Sequence, residues 1–280
     1  MDHEREQIAR AVSGDRDALE AVLHSVQDMV FNLSLRMLGT VPDAEDATQE
    51  ILLKAMTRLS SFRQDSSLST WVFRIAANHL QAYRKHMFAN APLSLEIYGE
   101  DILSGREKDV PDMGGGVDGA LLERELKLSC SNVMLQCLDA ESRCIFILGT
   151  MFRLDSRIAA EVLGLTPEAY RQRLSRIHRK MADFLSAYCG LSGTGCCECA
   201  RRVNYAVATH RLYPKRLDFQ RLDTCKYEEI VRCTDAMERI DDASQVFAAM
   251  PAYRAPQATA DWVRRCIGGA AFSAVMEGGC

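Results

Sequence analysis

From Asp43 to His86 the chain reads DAEDATQEILLKAMTRLSSFRQDSSLSTWVFRIAANHLQAYRKH, and no other stretch restricts the fold as much. It holds two amphipathic helical patterns joined by a short polar loop, Phe62 to Ser67. In the first, Ala44, Ala47, Ile51, Ala55 and Leu59 recur at helical spacing and form one apolar stripe. Pro42 stands near its start, with Asp43, Glu45 and Asp46 in the first turn, where carboxylates meet the positive end of the helix. An acidic, solvent-facing ridge of Asp43, Asp46, Gln49 and Glu50 is left over. Ser66 and Ser67 are candidate caps for the second helix, along which Val72, Ile75, Ala76, His79 and Tyr83 share one face. Around that face lie Trp71, Arg74, Asn78, Arg84 and Lys85, residue types that neutralise phosphate, stack on unpaired bases and read base edges.

A second constellation is DSRIAAEVLGLTPEAYRQRLSRIHRKMADFL, beginning at Asp155. Asp155 or Ser156 caps a short helix carrying Ile158, Ala159 and Val162. Gly164–Leu165–Thr166 makes a turn, and Thr166 caps the next helix with Pro167 at its first position. This is a helix-turn-helix pattern whose second helix fits the major groove. Ala169, Leu174, Ile177 and Met181 form its predicted buried face. The other faces carry Tyr170, Arg171, Gln172, Arg173, Arg176, Arg179 and Lys180.

Between and around these segments the expectations are plainer. Residues 2–40 read as two helices, with a break at Gly14–Asp15 and a stop at Gly39. From about Ala89 to Gly119, glycines, prolines and an excess of acidic residues predict a flexible linker. Helical periodicity resumes at Leu121, and Ser142 to Phe152 is apolar enough for a buried helix.

The formal net charge is −4 over 280 residues, so DNA contact must come from local basic patches. The first twenty residues are charged and lack a signal-peptide core, and no run is long enough to span a membrane, which predicts a cytoplasmic protein without membrane contact. Phosphate-binding glycine loops, HExxH helices and nucleophile elbows are all missing, so the chain is not read as an enzyme.

Eleven cysteines are spread unevenly, seven of them between Cys196 and Cys280. After a Gly190–Gly195 hinge come Cys196, Cys197 and Cys199, then Cys225 and Cys233. Three readings stand open: a zinc or other thiophilic metal site using Cys196, Cys197, Cys199, Cys225 and Cys233; thiols that oxidise reversibly, their pKa lowered by Arg201 and Arg202; or ordinary buried thiols. Further on, Met237, Ile240, Ala243, Val246 and Phe247 form an amphipathic helical pattern, followed by MPAYRAP, Trp262, Val263 and Ile267.

The acidic helix, the loop, and the Ser-Thr-Trp opening into an Arg-rich helix with Asn-His in its middle resemble region two of bacterial RNA polymerase sigma factors of the extracytoplasmic-function group. The segment from Asp155 resembles region four of the same family, and the likeness covers about residues 5–188. In region four the usual small or β-branched residue followed by Lys-Ser-Arg is here Tyr170-Arg171-Gln172-Arg173, which leaves the DNA sequence read by this helix undefined. The resemblance implies an all-α fold. Its parts are a region two domain (1–90), an acidic flexible linker (91–120), a region four helix-turn-helix domain (121–190) and a cysteine-rich, mostly helical regulatory extension (191–280).

The resemblance further implies that Asp43, Asp46, Gln49 and Glu50 bind core RNA polymerase. Phe62, Arg63, Ser67, Trp71, Arg74, Asn78, His79, Arg84 and Lys85 would melt and read the downstream promoter element. Thr166, Tyr170, Arg171, Arg173, Arg176 and Arg179 would hold the upstream one. The partners implied are core polymerase, promoter DNA and an anti-sigma protein, with metal or redox control through the extension. The rival reading is a stand-alone helix-turn-helix regulator acting without polymerase, which leaves Asp43 to His86 unused.

Overall fold

Local chemistry sets the helix boundaries. In the structure, a computed structural model, residues 2–83, 93–104, 115–192, 194–224 and 244–269 are described; among them the regular secondary structure is helical, with no strand. None of the described helices is long and apolar enough to cross a membrane. Two compact units emerge: Met1–His86 with Val162–Gly164 and Tyr253–Cys280, and Met87–Glu161 with Leu165–Ala252.

The first unit contains α1 (Asp2–Val12), α2 (Arg16–Leu38), α3 (Val41–Arg58) and α4 (Leu68–Ala82). Asp15 caps α2 by accepting from the Ala18 amide at 3.1 Å, and Gly39 ends it in the left-handed region at φ 86. Thr40 caps α3, and Ser67 caps α4 by accepting from the Thr70 amide at 3.1 Å. From Val30 to Leu38, α2 is buried all round, as befits the central helix of a bundle. It packs against α1, α3 and α4, and also against α12 (Gln257–Gly268) at the far end of the sequence, whose buried Thr259, Val263 and Ile267 form one face.

The second unit holds α5 (Leu95–Leu103), α6 (Gly119–Gln136), α7 (Ala140–Phe146), α9 (Pro167–Tyr188), α10 (Cys199–Ala208), α11 (Ser244–Ala248) and most of α8 (Ser156–Leu163). The predicted helix from Ser142 to Phe152 is α7 followed by a wider π turn, Ile147–Met151. Gly149 sits inside that turn, and a Cβ there would lie 2.6 Å from the Tyr170 hydroxyl and from a Leu174 methyl, so only glycine fits. Phe146, Tyr170, Met181, Phe184, Leu185 and Phe247 are buried in this unit, Phe247 meeting Phe146 edge-on at 5.0 Å.

Two boundaries differ from the sequence reading. The stretch expected to be a flexible linker contains α5, capped by Ser94 and packed on α9, with Tyr98 stacked on Phe184 at 5.7 Å. Its acidic charges are partly used internally: Asp101 accepts from Arg202 at 2.6 Å, Arg211 at 2.8 Å and the Tyr205 hydroxyl at 2.7 Å. Burial pushes the Asp101 carboxyl up, but these donors outweigh it and hold it at about 2. Nor is the extension one domain. Its α10 packs on α6 and α11 on α9 in the second unit, whereas α12 belongs to the first. Of the amphipathic pattern from Met237 to Phe247, residues 237–243 lie outside the described residues and the rest is α11.

Candidate nucleic-acid interface

The acidic ridge of α3 forms as expected from its spacing. Asp46 and Glu50 are exposed, while Asp43 and Gln49 are half-buried; Asp43 accepts from the Thr40 hydroxyl at 2.7 Å and so also serves the helix start. Tyr83 lies close enough that burial and then the charges of Asp43, Asp46 and Glu50 raise its phenol pKa.

The loop after α3 is shaped by Gln64, a non-glycine residue at φ 58, which fixes an otherwise rare backbone turn. Arg63 is exposed, and Ser67 spends its hydroxyl on capping α4. Phe62 is only 9% exposed, its ring 5.2 Å from that of half-buried Trp71. Phe62 is thus a support beneath Trp71 rather than an open contact. On α4, Asn78 is exposed and Arg74 half-buried.

His79 departs from its expected role. Its Nδ1 lies 2.5 Å from Lys54 Nζ and its Nε2 3.5 Å from Glu50, both on α3, so the ring joins two helices instead of facing DNA. Burial and then Lys54 lower its pKa, against Glu50. The reason is positional: His79 shares the inward face with Val72, Ile75 and Ala76. The helix stops at Ala82 with Tyr83 extended, earlier than the run to Lys85 suggested, and Arg84 and Lys85 lie outside the described residues.

In the helix-turn-helix, Asp155 Oδ1 accepts from the Arg157 amide at 2.9 Å and Gly164 turns at φ 66. Thr166 caps α9, accepting from the Ala169 amide at 3.1 Å, so its hydroxyl is a positioning group. Arg171, Gln172, Arg176, Arg179 and Lys180 are exposed, and Arg171, Gln172, Ser175 and Arg176 line one shallow depression. Arg171 donates to the Ser156 hydroxyl at 3.3 Å, and Arg173 pairs with Glu141.

Tyr170 corrects the sequence reading. It is 1% exposed and its hydroxyl donates to the Ile145 carbonyl at 3.2 Å, so it cannot touch DNA. The buried face of α9 runs through Tyr170, Ile177, Met181, Phe184 and Leu185, so Ile177 and Met181 lie on it as expected while Ala169 and Leu174 are only half-buried. The glycine at 149, which makes room for a tyrosine, was the available signal.

The cysteines also group differently. Cys196 is exposed, Cys197 and Cys199 are half-buried, and Cys225 and Cys233 lie outside the described residues. The segment after α9 folds back, the Cys197 amide donating to the Tyr188 carbonyl at 3.0 Å and the Gly190 amide to the Cys197 carbonyl at 3.1 Å. Cys130 on α6 and Cys189, not chosen from sequence, join this group. Burial raises the Cys130 thiol pKa well above its usual range, and the neighbouring Cys189, Cys197 and Cys199 push the same way. Burial, then Cys189, raises Cys199 to about 11. Arg201 pairs with Glu198, and Arg202 pairs with Asp101 while also feeling Cys197. Among the described residues no three His, Cys, Asp or Glu side chains stand where they could hold a metal ion, so the described part of the anticipated metal set does not fit one.

Helical bundle, acidic ridge and basic helix-turn-helix together define an all-α protein, and comparison with known proteins narrows the class. Residues 22–87 match Sigma-70 region 2. The chain is similar to the ECF RNA polymerase sigma factor SigW of Bacillus subtilis, 27% identical over 172 residues, covering 61% of this chain and 91% of that protein. It is similar to ECF RNA polymerase sigma factor SigD of Mycobacterium tuberculosis, 26% identical over 193 residues, covering 64% and 82%. RNA polymerase sigma factor CnrH of Cupriavidus metallidurans is 27% identical over 190 residues, covering 66% and 96%. These likenesses support reading the chain as an RNA polymerase sigma factor of the extracytoplasmic-function group, a transcription initiation factor.

Proposed function

We propose that α3 docks on core RNA polymerase through Asp43, Asp46, Gln49 and Glu50, and that the loop Phe62–Ser67 with α4 captures the downstream promoter element. The observation that carries this reading is the fixed loop beside the aromatic pair, with the acidic ridge open on the preceding helix. Trp71, backed by Phe62, offers a face on which an unpaired base can stack, with Arg63, Arg74 and Asn78 around it for phosphate and base edges. Extruding a base costs a few kcal/mol, which stacking and enclosure offset. Arg171, Arg173, Arg176 and Arg179 on α9 hold the upstream element in the major groove, and Arg173 exchanges Glu141 for DNA.

Control through the extension is the finer part of the proposal. Its support is the gathering of Cys130, Cys189, Cys197 and Cys199, half-buried thiols close enough to influence one another; no metal is assigned to them. Equal activity of the native chain and Cys197→Ser/Cys199→Ser across zinc and thiol conditions would remove it.

The promoter-reading role is tested by binding and open-complex assays with core polymerase. Arg176→Ala is expected to weaken upstream-element discrimination by about 1–3 kcal/mol if the guanidinium reads a base, and to reduce the salt dependence if it touches only phosphate. Trp71→Ala is expected to lose melting while duplex binding by α9 persists. Unchanged melting by Trp71→Ala would contradict the proposed capture.

A further inference from the structure

The amino-terminal unit contains a polar row that its own four helices do not explain. Glu20, Asp28, Asn32 and Arg36 follow one another along α2 at spacings of eight, four and four residues, and Asn32 and Arg36 are buried in its carboxy-terminal half. Buried amide and guanidinium groups require partners. Asn32 Nδ2 donates to the Asp28 carbonyl one turn back at 2.7 Å, and further partners come from the opposite end of the chain. Asn32 Nδ2 donates to the Tyr253 carbonyl at 2.6 Å, and the Tyr253 amide donates to Asn32 Oδ1 at 2.8 Å, so one side chain reads the backbone of an extended segment as a neighbouring strand would. The Ala255 amide donates to Asp28 Oδ1 at 2.8 Å, the Arg36 guanidinium lies 5.4 Å from the centre of the Tyr253 ring, and Arg264 Nε donates to Glu20 at 2.7 Å. Tyr253 and Ala255 point inward and Arg254 outward; after Pro256 the segment becomes α12, whose Thr259, Val263 and Ile267 face the same seat.

The seat adjoins the acidic ridge. On α3, Glu50 and Lys54 face α4, since both meet His79, and the central stripe Ala44, Ala47, Ile51 and Ala55 is buried inward. Because α12 packs on both α2 and α3, it takes the remaining flank of α3. On that flank Leu52 and Met56 are buried and Glu45 is half-buried, its carboxyl pushed up by burial and then by Asp46. Gln49 stands between this flank and the exposed Asp46. The polar half of the seat suits release: Glu20, Asp28, Asn32 and Arg36 can all be rehydrated, and the Thr259 hydroxyl, buried without a hydrogen-bond partner among the described residues, would gain one in water.

We propose that Tyr253–Gly268 is a self-docking strap that competes with core RNA polymerase for the α2–α3 helix pair, so that the chain binds polymerase at full affinity only when the strap is unseated. This rests on the reading of the α3 ridge as the polymerase contact. A chain that is mostly strapped has its apparent affinity reduced by the fraction that is open.

The test measures the affinity of the full chain for core polymerase. Val263→Asp places a carboxylate in the apolar half of the seat and is expected to tighten binding on the order of tenfold. A synthetic peptide spanning residues 252–269, added in excess, is expected to reverse that gain. Arg264→Glu, a surface change that leaves the core intact, is expected to tighten binding less, and its combination with Glu20→Arg to return it to the native value. A folded Val263→Asp chain that binds polymerase no better than native, together with an unchanged affinity in Arg264→Glu, overturns the strap. Failure of every version to bind core polymerase overturns instead the polymerase reading of α3, and the strap with it.

Discussion

Two helices of the carboxy-terminal third, α11 and α12, are held by different balances of apolar and polar contact. In the second unit α11 inserts Phe247, 0% exposed, against Phe146, an apolar plug with no polar partner of its own. In the first unit the segment leading into α12 is held by the side-chain amide of Asn32, the carboxylate of Asp28 and an ion pair at the surface. An apolar plug leaves a cavity when it departs, and water does not compensate. The seat of α12 is apolar only in part, at Val263 and Ile267, and its polar half is rehydrated, which favours reversible docking. The contrast separates a piece of core from a piece of regulation. Within the second unit, α10 is tied to α5 through Asp101, Arg202 and Arg211.

Substitutions at these attachments rank accordingly. Phe247→Ala is expected to have the largest effect, about 3–5 kcal/mol of stability, read as a lowered melting transition of the helix-turn-helix unit; a loss below about 1 kcal/mol would mean that α11 is as detachable as α12. Asp101→Asn comes next, with an expected loss of about 2 kcal/mol, because Arg202 is buried beside it and loses its counter-charge. The pH dependence has a definite sign. The folded Asp101 carboxyl titrates at about 2, below its ordinary value of 3.8, so the stabilisation is fully present above pH 3.8 and is lost as pH falls from there through 2. Acid titration of the Asp101→Asn chain should lack that component. Arg264→Ala sits last: its partner Glu20 is part-exposed, and such pairs contribute about 0.2–1 kcal/mol, so the melting transition should barely move.

The parts of this architecture legible in the sequence are those fixed by neighbours along the chain. Ser67 and Thr166 cap the helices they precede, Gly39 and Gly164 adopt positive φ where a helix must end or turn, and the apolar stripe of α3 is buried as its spacing indicates. The open ridge at Asp46 and Glu50 and the basic face of α9 follow from the same periodicity. The misreadings have a common origin in contacts made at long range. Leu95, Tyr98 and Ile102 recur at helical spacing within α5, but the acidic residues around them hid it, because Asp101 answers to arginines 101 and 110 residues further along. Tyr170 looked like a surface aromatic until Gly149 gave it a place to enter. Asn32 in the middle of an apolar helix had no visible purpose, since its partner lies 221 residues away.

The most direct measurement is promoter-specific transcription by purified core RNA polymerase supplied with the full chain, on templates carrying candidate promoters with and without a pre-melted downstream element. A sigma factor built as described gives a defined start that depends on the chain, and Asp46→Lys/Glu50→Lys abolishes it while the helical fold and the duplex binding of α9 persist. A chain that binds promoter duplex unaided, yet directs no specific start on any template, pre-melted ones included, would be a helix-turn-helix regulator instead.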